Sequence, residues 1–150
     1  LRKCVLAVAL ALSAVSKPFA EGVVPEVHEY PEVRFTADDR CLASAVYYEA
    51  RGESLAVQRA VFDVVQHRMS ATGKSACAVV KQHAQFSWYP KRPIRPLTSD
   101  LKEMLTEVKN TDKILINEKF KFFHSGKKPY WAKAMLCKKL GNLNFCKEKQ

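Results

Sequence analysis

The sequence lacks any long apolar run. Its most apolar stretch, Cys4 to Val15, is too short to span a bilayer comfortably, which argues against stable membrane insertion. There is no internal repeat and no low-complexity tract, so neither a solenoid nor a disordered tail is indicated. No two cysteines are spaced CxxC and no HExxH occurs, so the common zinc patterns are missing and neither metal nor cofactor is expected. No recognisable nucleic-acid-binding motif is present. Negative charge is scarce: 15 Asp and Glu stand against 25 Lys and Arg, for a formal charge of +10. That surplus favours an anionic polymer or surface as partner.

What is present fits one domain. The 150 residues suit a single core plus a processing segment, and the 47% hydrophobic content is enough to build that core without a metal. Arg2 and Lys3 precede the apolar stretch, small residues follow it, and the chain turns polar at Glu21. This is the layout of a secretory signal, so residues 1–20 are expected to direct export to the periplasm, wall or exterior. Removing them takes away Arg2, Lys3 and Lys17 and leaves the chain basic. Residues 21–37, with Pro25, Pro31 and many charges, read as an arm, and residues 38–150 as the working domain, expected to be a monomer. Beyond Cys4, four cysteines remain, Cys41, Cys77, Cys137 and Cys146. An even set in a small exported domain suggests two disulfides in one of three pairings. The favoured pairing joins Cys41 to Cys77, helix to helix, and Cys137 to Cys146 across a short C-terminal loop.

Thr36 to Asp39 has the form of a capping box, so a helix is expected from about Asp38, with Leu42, Ala45, Val46 and Glu49 at helical spacing and a stop at Gly52. A second helix is expected over 54–70, a short third over 76–83 and a fourth over 99–110. Residues 84–98, rich in aromatics and proline, read as a loop. Alternation over 119–124 suggests a short strand, and 140–146 reads as a compact turn. The sum is a mainly α (α+β) single domain with a small β element.

Glu49 lies on the apolar stripe of the first helix. Partial desolvation there would raise its pKa, as a general acid working near neutral pH requires. The bland alternative is a structural ion pair with Arg51 or Arg68. Glycoside cleavage commonly uses two carboxylates. Glu53 is the nearest second acid, although the start of the next helix suits it equally, and Asp63 and Asp100 are more distant. Tyr47, Tyr48, Trp88, Tyr89, Tyr130 and Trp131 offer rings for sugar binding, and Gln85 and Ser87 offer polar groups.

The stretch from Cys41 through Tyr47-Tyr48-Glu49-Ala50-Arg51-Gly52-Glu53 resembles the spore-cortex-lytic / cell-wall hydrolase family. The resemblance continues through Cys77-Ala78-Val79-Val80, Gln85-Phe86-Ser87, Phe122-Phe123-His124 and Gly141-Asn142-Leu143-Asn144-Phe145, covering about residues 40–147. It implies a lysozyme-like fold and peptidoglycan as partner, with Glu49 as catalytic residue. The residues expected at the substrate are Tyr47, Gln85, Ser87, Trp88, His124, Tyr130 and Trp131, with Arg51, Glu53, Arg68 and Asn142 in support. Family members resemble lytic transglycosylases, which cut between N-acetylmuramic acid and N-acetylglucosamine through attack of the muramyl 6-hydroxyl. Two positions depart from the family pattern: His67 replaces Asn, and Leu143 replaces His. An amidase and an inactive wall-binding module are the competing readings. The small size and lack of a wall-binding repeat suit a lysin as well as a remodelling or germination enzyme.

Overall fold

The structure, a computed structural model, describes residues 34–113 and 120–149. The expected export segment, and all but the end of the arm, lie outside the described residues. Helix α1 (Ala37–Ala50) starts one residue earlier than expected. Its capping box is complete: the Thr36 hydroxyl accepts from the Asp39 amide, and the Asp39 carboxylate accepts from the Thr36 amide at 2.8 Å. Such a cap contributes about 1 kcal/mol. Asp39 also holds Lys109 at 2.6 Å, tying the start of α1 to the end of α4 (Ser99–Asn110).

Among the described residues, helix α1 is the centre of the helical half. It packs against α2 (Leu55–Thr72), α3 (Ala76–Lys81) and α4, so Cys41 through Val46 are buried without a break. A helix apolar around most of its circumference belongs inside a core, and Ala43 and Ala45 let its neighbours come close. Helix α2 buries Val57, Ala60, Val61, Val64 and Val65, each valine contributing about 1.5–3 kcal/mol. It ends at Gly73, its C-cap. Helix α3 is shorter than expected, because the chain leaves the helix at Gln82 rather than His83. The buried Arg59 pairs with Asp63 at 2.9 Å and donates to the carbonyls of Val108, Lys109 and Thr111, capping the C-terminal end of α4 from α2.

The C-terminal third is a three-stranded antiparallel sheet of order β1-β3-β2. Strand β1 (Phe122–Ser125) overlaps the region where alternation suggested a strand and ends one residue beyond it, and a 3-10 turn (Tyr130–Ala134) leads into β2 (Met135–Leu140). The expected compact turn over 140–146 is corrected: these residues are the end of β2, a two-residue Gly141-Asn142 turn and most of β3 (Leu143–Glu148). Leu143 and Phe145 alternate inward onto the core, which drives the strand. Both disulfides form in the favoured pairing. Cys41–Cys77 joins α1 to α3, whereas Cys137–Cys146 links directly opposed residues of a hairpin instead of closing a loop.

Candidate active site

Glu49 occupies the last turn of α1, where it borders a cleft of about 380 Å³. One wall is helical and comes from Glu49 and the Ala84–Ser87 loop after α3. The other comes from β1 (Phe123, His124, Ser125), the following turn (Lys127, Pro129, Trp131) and Leu143 of β3. A smaller cavity of about 240 Å³ continues the cleft toward Arg68 and Met135, sharing Ala84, Gln85, Phe123 and Trp131. Ala84 adopts a left-handed backbone (φ 58°), a conformation that non-glycine residues hold at some cost, and here it shapes the cleft loop.

Burial pushes the Glu49 carboxyl above the usual carboxylate range, opposed by the Trp88 indole and by the positive charge of Arg68. Its place at the negative end of the α1 dipole also disfavours the anion. The Trp88 indole N–H faces Glu49 without completing a full hydrogen bond. Arg68 makes no direct ion pair with Glu49. Its guanidinium is packed between Phe86 and Phe122, 5.3 and 5.8 Å from the ring centroids, and its Nε donates to the Lys121 carbonyl at 2.6 Å. Burial lowers its pKa to about 10, against the attraction of Glu49, so it stays charged at neutral pH and supplies a fixed positive field behind the acid.

Of the residues expected at the substrate, Gln85, Ser87, His124 and Trp131 line the cleft with Glu49. Trp88 does not: it is 6% exposed and stacks on Tyr48 at 4.5 Å, so it shapes the environment of Glu49 from behind. Tyr47 is half-buried outside the cleft lining, accepting from Arg51 at 2.8 Å and lying under Arg95. That contact occupies Arg51, which removes it as an ion-pair partner of Glu49. Tyr130 is 86% exposed on the outer rim.

Glu53 is not a second acid of the cleft. Its Oε1 accepts from the Asn142 amide at 2.8 Å, so these two residues clamp the hairpin turn to the start of α2. Asp63 is held by Arg59, and Asp100 lies in the first turn of α4. Among the described residues Glu49 is the one carboxylate lining the cleft and its extension. His67 also lies away from it, with Nδ1 3.0 Å from the Phe120 carbonyl, whereas Leu143 lines the cleft with a buried side chain. Sequence reasoning missed Ser125, Lys127 and Pro129. They sit in a Ser-Gly-Lys-Lys-Pro turn that has loop chemistry but no catalytic pattern. His124, Cys137 and Cys146 are close enough to hold a metal ion, but the two thiols are joined to each other, which leaves one ligand and no site.

The family model described as Cell Wall Hydrolase matches residues 52–146, which covers most of the cleft and begins just after Glu49. Among solved structures, the catalytic domain of the Bacillus cereus SleB protein is similar in fold. The TM-score is 0.60 over 78% of this chain and 94% of that one, at 23% identity. Comparison with curated proteins gives no match.

Proposed function

Because this chain belongs to the cell wall hydrolase family, we propose that it cuts the glycan strand of peptidoglycan between N-acetylmuramic acid and N-acetylglucosamine, as a lytic transglycosylase. The observation that carries this reading is a single desolvated carboxylate, Glu49, in a cleft with no second acid among the described residues. Classical glycosidases divide the work between two carboxylates. One is enough if the nucleophile is the substrate's own hydroxyl.

In this mechanism Glu49 starts protonated, which its raised pKa favours. It donates its proton to the glycosidic oxygen as the bond from that oxygen to the muramyl C1 breaks. The resulting carboxylate, now favoured by the Arg68 field, takes the proton of the muramyl 6-hydroxyl. That oxygen then bonds to C1. No water is consumed, and the product is a 1,6-anhydro ring. Gln85, Ser87 and Ser125 offer hydrogen bonds to the sugars, and Trp131 a ring face. Export, read from residues 1–20, belongs to the same proposal, as does action on the wall. No helix among the described residues is long and apolar enough to cross a membrane.

The test is mass spectrometry of the soluble products from peptidoglycan treated with the protein or with Glu49→Gln. Anhydromuramyl fragments, lost with the variant, are expected. Reducing-end muramyl products would replace the mechanism with a hydrolytic one, and free peptides would refute glycan cleavage altogether.

A further inference from the structure

The sheet region carries charge out of proportion to its size. Residues 120–149 hold eight lysines, no arginine and a single acid, Glu148. Lys127, Lys128, Lys133, Lys138 and Lys139 are all exposed, and none of these five forms an ion pair with a described residue. The same short segment leaves Tyr130, Trp131 and Leu136 exposed, at 86%, 43% and 49%. Lysines alone would be an ordinary solvated face. Large apolar side chains left among them mark a binding surface.

Two further features shape this surface. Strand β2 is an edge strand in which Lys139 stands opposite Asn144, itself opposite His124, whose ring lies 5.8 Å from that of Trp131, so Lys139 shares that face of the sheet whereas Lys138 points to the other. Lys133 Nζ lies 5.5 Å from the Tyr130 ring centroid, which keeps a positive charge beside an exposed ring. The surface meets the cleft at Lys127 and Trp131, which also line the cleft.

We propose that the Lys127–Lys139 segment is a second binding surface for the same polymer, taking the carboxylates of the stem peptides that hang from the glycan strand. This rests on the reading of Glu49 as a glycan-cleaving acid. The sugars of the strand are largely uncharged, whereas its peptides carry free carboxylates at regular intervals. A strand seated at Glu49 therefore brings negative groups out past Trp131 onto the lysines. Nucleic acid or anionic lipid would match the charge equally. Continuity with the cleft favours the polymer that the cleft cuts.

The test uses the full chain carrying Glu49→Gln, in co-sedimentation with intact peptidoglycan and with peptidoglycan whose carboxylates have been converted to neutral amides. Intact polymer is expected to bind about tenfold more tightly. The difference should vanish in Lys128→Gln/Lys133→Gln/Lys139→Gln, and also in 1 M salt, where the screening length falls to about 3 Å. On the Glu49 background the triple variant should raise KM on intact polymer by a similar factor, leaving kcat and the cutting of the amidated polymer unchanged. Equal binding to both polymers, or a triple variant that binds like its parent, overturns the proposal. So does tighter binding to phosphatidylglycerol vesicles than to either polymer. Failure of the parent chain to cut either polymer refutes the cleavage reading alone, because the binding comparison is made without it.

Discussion

Gly141→Ala is expected to destabilise the protein by about 2–5 kcal/mol, well beyond what a turn substitution ordinarily costs. Gly141 has φ 57°, and an L side chain in that region costs about 1–2 kcal/mol. A Cβ there would lie 2.6 Å from Glu53 Oε2 and 2.7 Å from Val57 Cγ2. Glu53 is flexible and can swing away, but only by giving up its bond from Asn142. Val57 is β-branched, 1% exposed and set in the first turn of α2, so it cannot follow. Forcing a methyl into such a site costs a further 1–3 kcal/mol or so. Gly126 supplies the control, with φ 65° but no atom within 4 Å of the place a Cβ would take. Gly126→Ala should therefore cost only the backbone term, about 1–2 kcal/mol. Urea unfolding followed by tryptophan fluorescence, with the disulfides intact, measures both. If the two variants lose the same stability, the close seating of the hairpin on α2 is refuted.

Glu49→Gln should lower turnover by about a thousandfold, within the usual range for a general acid. Because burial raises the Glu49 pKa, folding favours its protonated form, so its contribution to stability is present at acid pH and lost as pH rises through the raised value. The Gln variant should therefore be at least as stable as the parent at neutral pH, and the parent's kcat should fall with rising pH above that pKa. Asp39 behaves oppositely. Burial would raise its pKa, but Lys109 and Thr36 outweigh it and hold it low. Its stabilisation is present above the ordinary Asp pKa and lost as pH falls through the depressed one, so Lys109→Met should flatten acid unfolding in that window. Removing Cys41–Cys77, a 36-residue separation, should cost about 4 kcal/mol, against roughly 2.5 kcal/mol for Cys137–Cys146 at a separation of 9, as read by urea midpoints of paired Cys→Ser variants.

The helical half was legible in the sequence because its signals are local. The Thr36–Asp39 box and the valine stripe of α2 each act within a few residues. The sheet was only half legible. Strand β2 is an exposed edge with Lys138-Lys139 in its middle, so it shows no alternation, and β3 lacks the β-branched residues that usually announce a strand. Its inward pair, Leu143 and Phe145, takes on meaning only once Gly141-Asn142 is seen as a two-residue turn. Glu49 could be singled out from its helix stripe and from family resemblance. The surroundings that raise its pKa could not, because Trp88 and Arg68 reach it from other elements. Trp88 was read as a sugar platform because a tryptophan in a loop looks available, whereas packing against Tyr48 and Phe86 buries it.

The two disulfides share a property that bears on mechanics. Cys41–Cys77 lies wholly within the helical wall of the cleft and Cys137–Cys146 wholly within the sheet, so neither crosses the gap between them. Among the described residues, hydrogen bonds bridge the two walls: Asn142 to Glu53, Arg68 to the Lys121 carbonyl, and His67 to that of Phe120. The walls also share one apolar core, in which Phe120, Leu143 and Phe145 pack with the buried valines of α2. The disulfides thus stiffen each wall separately and leave the seam between the walls to that packing and these three hydrogen bonds.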